Sequence, residues 1–307
     1  MRSVFLAAIV VAAASSAQAE DLKLQSLDGM VTFSGSFGVT GVRAKEFVYQ
    51  GKAKLSQLNW KSDYISTLTG AVNVELPKEF YLSATASVGF DGNGHMADFD
   101  WLQPGKPWSD RSLHPDTRLD HYFVGGVEVG RMLISRNGTD IGLGAGFKYT
   151  DIQWTAWGGS YVYSVNGFRD SRGHFDPDEK GISYRQSWPV PYLGLNLSHH
   201  EGAWTFSGAV QGGLAVDAYD IDDHWVRNLR FYDYFNTTPT LAVSSSINYA
   251  VWNNAALYLS GSLDNMFHVR GDTKMVNTKN GKEHWFDNGA GGSYRSATIS
   301  FGLRGNF

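Results

Sequence analysis

The chain has no cysteine, so no disulfide framework can hold it together. It also lacks an excess of base: Lys and Arg number 26 against 30 Asp and Glu, a formal charge of −4. Mild acidity of this kind argues against a nucleic-acid partner. Beyond the N-terminus there is no apolar run long enough for a membrane-spanning helix, no convincing helical periodicity, no internal repeat and no low-complexity tract. What remains is a 307-residue chain of negative mean hydropathy that could pass for soluble on composition alone.

The first residues read MRSVFLAAIVVAAASSAQAE, with Arg2 as a positive start, an apolar stretch from Val4 to Ala14 and a small-residue site in Ala17–Gln18–Ala19. This is the pattern of a secretory signal peptide, expected to span 1–19, with one mature domain over 20–307. Its removal takes away Arg2 and no acid, leaving 25 bases, 30 acids and a formal charge of −5.

In YLSATASVGF, Leu82, Ala84, Ala86, Val88 and Phe90 share one face and Ser83, Thr85, Ser87 and Gly89 the other. LAVSSSINYAVW, YLGLNLS and SATISFGLRGNF alternate in the same way. Period-two alternation means β structure. A soluble sandwich alternates too, so the choice of a membrane barrel rests on further features. Short turns at 76–79, 135–139, 199–202 and 252–255 alternate with long polar connections around 91–119, 165–180, 226–237 and 277–290. Aromatic residues are plentiful, and Ile299, Phe301 and Leu303 lead outward to a terminal Phe307. The pattern predicts ten antiparallel strands, at about 30–46, 54–76, 79–91, 120–134, 140–164, 181–199, 203–224, 238–252, 255–275 and 291–307. An even number puts both termini on the periplasmic side. Several strands exceed the length a bilayer needs, which predicts a transmembrane barrel projecting above the outer surface of a Gram-negative outer membrane.

Two acidic clusters stand where strands run up into long connections. Asp98 and Asp100 in ADFDW are two apart, so a strand places them on one face about 7 Å from each other. Like charges that close need a shared proton, a water or a metal. In DAYDIDDHW, Asp220, Asp222 and His224 also share a face, and Asp222 can orient and charge-stabilise the imidazole as general base. No Ser or Cys nucleophile motif accompanies them, so an attacking water is the natural reagent. The bland reading of either cluster alone is a solvated rim. A calcium loop in DGNGHMADFD lacks its bidentate Glu, since Leu102 stands there, and one histidine among carboxylates is an unusual zinc set. No metal or other cofactor is expected. No role is assigned to the other histidines, which have no partner at recognisable spacing.

Taken together, SQLNWK (56–61), MADFDW (96–101), HPDT (114–117), GGSYVYS (158–164), GFRD (167–170) and DIDDH (220–224) resemble the omptins, aspartyl-type proteases of Gram-negative outer membranes. The resemblance runs over nearly the whole mature chain. It implies that Asp98 with Asp100 faces Asp222 with His224 across a water that attacks the peptide carbonyl. It also implies a pocket for a basic residue before the scissile bond, read by Glu46 and Asp220 between the apolar walls Met96 and Ile182. Glu46 shares the inward parity of Ser34, Ser36 and Thr40. Protein or peptide substrates with basic residues are therefore expected, cut at the extracellular mouth.

Two features depart from the simple pattern. On the strand from Ala203, Trp204, Phe206, Val210, Leu214 and Val216 look lipid-facing, and the same parity would aim Asp220, Asp222 and His224 outward. Either a bulge reverses the face, with Gly212–Gly213 as one place for it, or the strand already stands clear of lipid there. The family also needs lipopolysaccharide as activator, held by a Tyr-x-Glu-x-Arg run and a further arginine. Here those positions carry Phe147, Tyr149, Asp151 and Ser187, so the lipid is expected to use other residues or bind more weakly. The alternative function is a non-catalytic outer-membrane barrel, an adhesin or small channel.

Overall fold

The computed structural model describes residues 31–306; the expected signal segment lies outside the described residues. Fifteen strands account for most of the chain: β1 Val31–Gln50, β2 Ala53–Leu76, β3 Phe80–Phe90, β4 Asn93–Asp100, β5 Asp110–Arg136, β6 Thr139–Trp157, β7 Ser160–Tyr163, β8 Ser171–His174, β9 Lys180–Glu201, β10 Trp204–Ala215, β11 Tyr219–His224, β12 Leu229–Phe235, β13 Thr238–Trp252, β14 Ala255–Asn277 and β15 Glu283–Asn306. The described residues form no α-helix, only a 3-10 turn at Pro77–Glu79.

Ten of these strands close a ring of antiparallel ladders, in the order β1, β2, β3, β5, β6, β9, β10, β13, β14, β15 and back to β1. Higher up, β4 takes the place of β3 between β2 and β5, while β11 and β12 take the places of β10 and β13 between β9 and β14. The molecule is thus a ten-stranded β-barrel, with no sheet edge left open to lipid. Tight turns at Leu76–Phe80, Arg136–Thr139, Glu201–Trp204 and Trp252–Ala255 close one end, where the sequence predicts them.

The other end differs from expectation. The segments 91–119, 226–237 and 277–290, expected as long loops, carry β4, the first third of β5, β12 and the start of β15. The reason is physical. Above the bilayer the outer face meets water, so in LRFYDYF the outward Arg230, Tyr232 and Tyr234 alternate with inward Phe231, Asp233 and Phe235, and no apolar–polar rhythm survives. The strand expected at 140–164 is broken at Gly158–Gly159, with φ of 48° and 105°. A Cβ on Gly159 would meet the Leu113 carbonyl at 2.2 Å, so glycine is required there. Register along β5 nevertheless continues from Asp116↔Trp157 to Leu113↔Ser160.

The outer face of the lower barrel exposes Phe37, Leu193, Leu195, Leu197, Phe301 and the outward-predicted Ile299 and Leu303. Such a band belongs against lipid acyl chains. Inside lies a cavity of about 180 Å³ lined by hydroxyls such as Thr40, Thr69, Ser262 and Thr298. Above it, Trp60, Trp154 and Tyr184 stack with centroids 5.2–6.3 Å apart and fill the lumen with Met96, Trp188 and Tyr294. A ten-stranded lumen is small enough for side chains to close, and these do.

Candidate active site

The face reversal expected on the β10–β11 strand is present, but not at Gly212–Gly213. Opposite β9, Gly213 pairs with Tyr192 and Tyr219 pairs with Ser187, so six steps on one strand match five on the other. The extra residue sits in Val216–Ala218, where Asp217 adopts φ 49°. Backbone bonds from Val216 N to Pro189 O (3.0 Å) and from Phe235 N to Ala218 O (2.9 Å) pin the bulge on both sides. A one-residue slip moves every later side chain to the other face. Asp220 and Asp222 are consequently buried inside, at 0% and 1% exposure.

His224 Nε2 lies 2.6 Å from Asp222 Oδ2, and the Phe231 ring packs edge-on against the imidazole at 5.4 Å. Burial alone would lower the His224 pKa, but the Asp222 carboxylate overcomes it and the net shift is upward. Asp98 and Asp100 project from β4, with Ser56 Oγ donating to Asp98 Oδ1 at 3.0 Å. The end of β4 is fixed by Ser109 N, which donates to the Asp100 carbonyl at 2.6 Å. Burial, and then the neighbouring Asp100, push Asp98 up to about 7. Burial raises Asp100 as well, opposed by Ser56 and by Arg227 in the turn after β11. The two pairs act on each other: His224 pulls Asp98 down and Asp98 pushes His224 up. Tyr163, on β7, feels the same acids, its phenol raised by burial and then by Asp98, Asp100 and Asp110.

Beside the pairs, Glu46 on β1 is 3% exposed, and burial followed by Asp222, Asp220 and Asp233 raises its pKa. Tyr184 donates its hydroxyl to Asp220 Oδ2 at 2.7 Å and is itself oriented by Gln186 Nε2 at 2.7 Å. Met96 is fully buried, and Ile182 is directly across the ladder from His224. All eight sequence-predicted residues therefore lie at the upper end of the barrel interior, at the end opposite the tight turns.

Sequence reasoning missed Asp233, buried on β12 directly across from Asp220. Its signal is the inward parity of Phe231, Asp233 and Phe235, hidden where 226–237 reads as a loop. Some of the other histidines, which show no partner at recognisable spacing in the sequence, meet partners in the fold, two of them far along the chain. His121 pairs with Asp151, His114 Nε2 with Ser112 Oγ (3.0 Å) and His200 with Asp140 (3.3 Å). Asp151 further binds Arg185 at 2.9 Å, and Ser187 and Tyr149 also donate to it, all on the outer face.

A closed ten-stranded barrel with a lipid-facing band and a carboxylate-rich upper interior defines an outer-membrane protein, and its relatives define it as a protease. The chain is 30% identical over 316 residues to the outer membrane protease OmpP of Escherichia coli, covering 99% of this chain and 98% of that protein. To Protease 7 of Escherichia coli it is 30% identical over 282 residues, 89% of each chain. The crystal structure of the outer membrane protease OmpT from Escherichia coli superposes with a TM-score of 0.86 at 28% identity, covering 91% of this chain and 97% of that one. The profile of the Omptin family matches residues 28–307, and the chain belongs to that family.

Proposed function

We propose that this outer-membrane protease cleaves peptide bonds after basic residues, using a water polarised between Asp98/Asp100 and Asp222/His224. The observation that carries this is the 2.6 Å Asp222–His224 pair coupled electrostatically to a buried carboxylate pair. Asp222 occupies His224 Nε2, which leaves Nδ1 to take a proton from the water as its oxygen bonds to the carbonyl carbon. Asp98, whose pKa burial and Asp100 push up to about 7, stabilises the developing oxyanion in its protonated form. The imidazolium then returns its proton to the leaving amine as the C–N bond breaks, so protons and electrons balance. No metal takes part in this scheme.

Glu46 and Asp220 supply charge for a basic side chain before the scissile bond, with Met96 and Ile182 against its aliphatic stem. Lipopolysaccharide serves as activator through residues other than Phe147, Tyr149, Asp151 and Ser187, since Asp151 is already held by Arg185 and His121. Residues 1–19 direct export and are removed. The decisive experiment is cleavage of a peptide library by purified, refolded protein. Selective cleavage after Arg or Lys, lost in Asp98→Ala and His224→Ala, supports the proposal; indifference to the residue before the bond rejects the pocket while leaving the protease.

A further inference from the structure

Three carboxylates, not two, converge at the floor of the cleft. Asp220 and Asp233 are opposed across the β11–β12 ladder, and both act on Glu46. Each of the three is more than nine-tenths buried; no fixed donor reaches Glu46 Oε2, Asp220 Oδ1 or Asp233 Oδ1, while Asp220 and Asp233 act on each other as hydrogen-bonded neighbours. Among the described residues none of the three is in an ion pair. Buried orphan acceptors are costly, and their tolerance here marks a place awaiting donors. No group of three His, Cys, Asp or Glu side chains among the described residues is arranged to hold a metal ion.

We propose that Asp233 is a third specificity carboxylate, fitting the pocket to an arginine guanidinium in preference to a lysine ammonium. This rests on the reading of Glu46 and Asp220 as the pocket for a basic residue. A guanidinium carries five N–H donors in a planar fork and can meet three separated acceptors at once. An ammonium is a compact, strongly hydrated point charge whose three donors cannot spread so far. The site is also pre-set: Tyr184 ties down the far oxygen of Asp220, leaving Oδ1 free. Burial, and with it the nearby Asp222 carboxylate, pushes all three acids up, Asp233 to about 7. An arriving guanidinium would favour the ionised carboxylates and so oppose that upward shift.

The test compares kcat/KM on paired peptides differing only in Arg or Lys before the bond, for wild type, Asp233→Asn, Asp233→Ser, Glu46→Ala and Asp220→Ala. Wild type should favour Arg, and both Asp233 variants should lower kcat/KM for Arg by about tenfold or more while lowering Lys much less. A purely structural role for Asp233 would depress both substrates equally. Equal rates on Arg and Lys in wild type, or an unchanged ratio in a folded Asp233 variant, overturns the inference. If Glu46→Ala and Asp220→Ala change the basic preference but Asp233→Asn does not, only the third carboxylate is rejected. If none of them changes it, the pocket reading itself fails.

Discussion

Asp222 Oδ2 and His224 Nε2 are 2.6 Å apart on one face of a six-residue strand, with the carboxylate 1% and the imidazole 14% exposed. The pairing needs no long-range fold, since residues two apart on a strand always share a face. What the fold adds is burial and an opposing acid. Removing either partner should lower turnover by at least about 10²–10⁴-fold, the contribution of one general base. Barrel assembly, read as the heat-modifiable shift on a gel, should be unchanged for Asp222→Ala and His224→Ala.

The pH profile follows from the direction of two shifts. His224 must be neutral to accept a proton, and its pKa is raised, so activity should climb with pH through that raised value. Asp98 must hold its proton, so activity should fall as pH passes about 7. The kcat/KM profile should be a narrow bell near neutrality whose limbs belong to the coupled site. Asp222→Asn removes the main group that raises His224 and leaves burial, which lowers it, opposed only by the weaker Asp98, so the acid limb should move to lower pH. A limb that does not move would contradict the assignment.

The barrel was legible in the sequence wherever one face met lipid and the other the lumen, as in Leu82–Phe90 and Ile299–Leu303. It fades where aromatic, apolar and acidic side chains mix on one face, so 91–119 and 226–237 read as long connections and Asp233 does not stand out. Asp98, Asp100, Asp222 and His224 were legible as pairs because their partnerships are local. The His121–Asp151–Arg185 cluster was not, because register on three strands brings it together.

The bulge at Val216–Ala218 should be separable from the barrel below it. Deleting Asp217 restores unbroken alternation and turns Asp220, Asp222 and His224 outward. Such a variant should still assemble but show no cleavage. Asp217→Gly, which suits φ 49°, should keep full activity, while Asp217→Val should cost about 1–2 kcal/mol in unfolding experiments.

Lipopolysaccharide dependence offers a check on the outer face. If Phe147 and Ser187 do not hold the lipid, Phe147→Ala and Ser187→Ala should leave the activation of delipidated protein by added lipopolysaccharide unchanged. A weakened response in either variant would show that these positions still serve the lipid.

Inside the lower barrel, Lys148 on β6 and Asp264 on β14 form an ion pair across the lumen, with side chains 14% and 21% exposed. A buried pair is held at a desolvation cost that only its partner offsets. Lys148→Met should therefore leave an uncompensated carboxylate and destabilise the barrel by about 3–5 kcal/mol in urea unfolding from detergent or lipid. Asp264→Leu should cost a similar amount for the mirror reason. The double variant removes both charges and supplies apolar side chains, so it should recover most of the loss. Additive losses in the double variant would show that the two charges do not depend on each other. Because the pair lies well below the carboxylate cleft, peptide cleavage by any variant that still assembles should stay within about threefold of wild type.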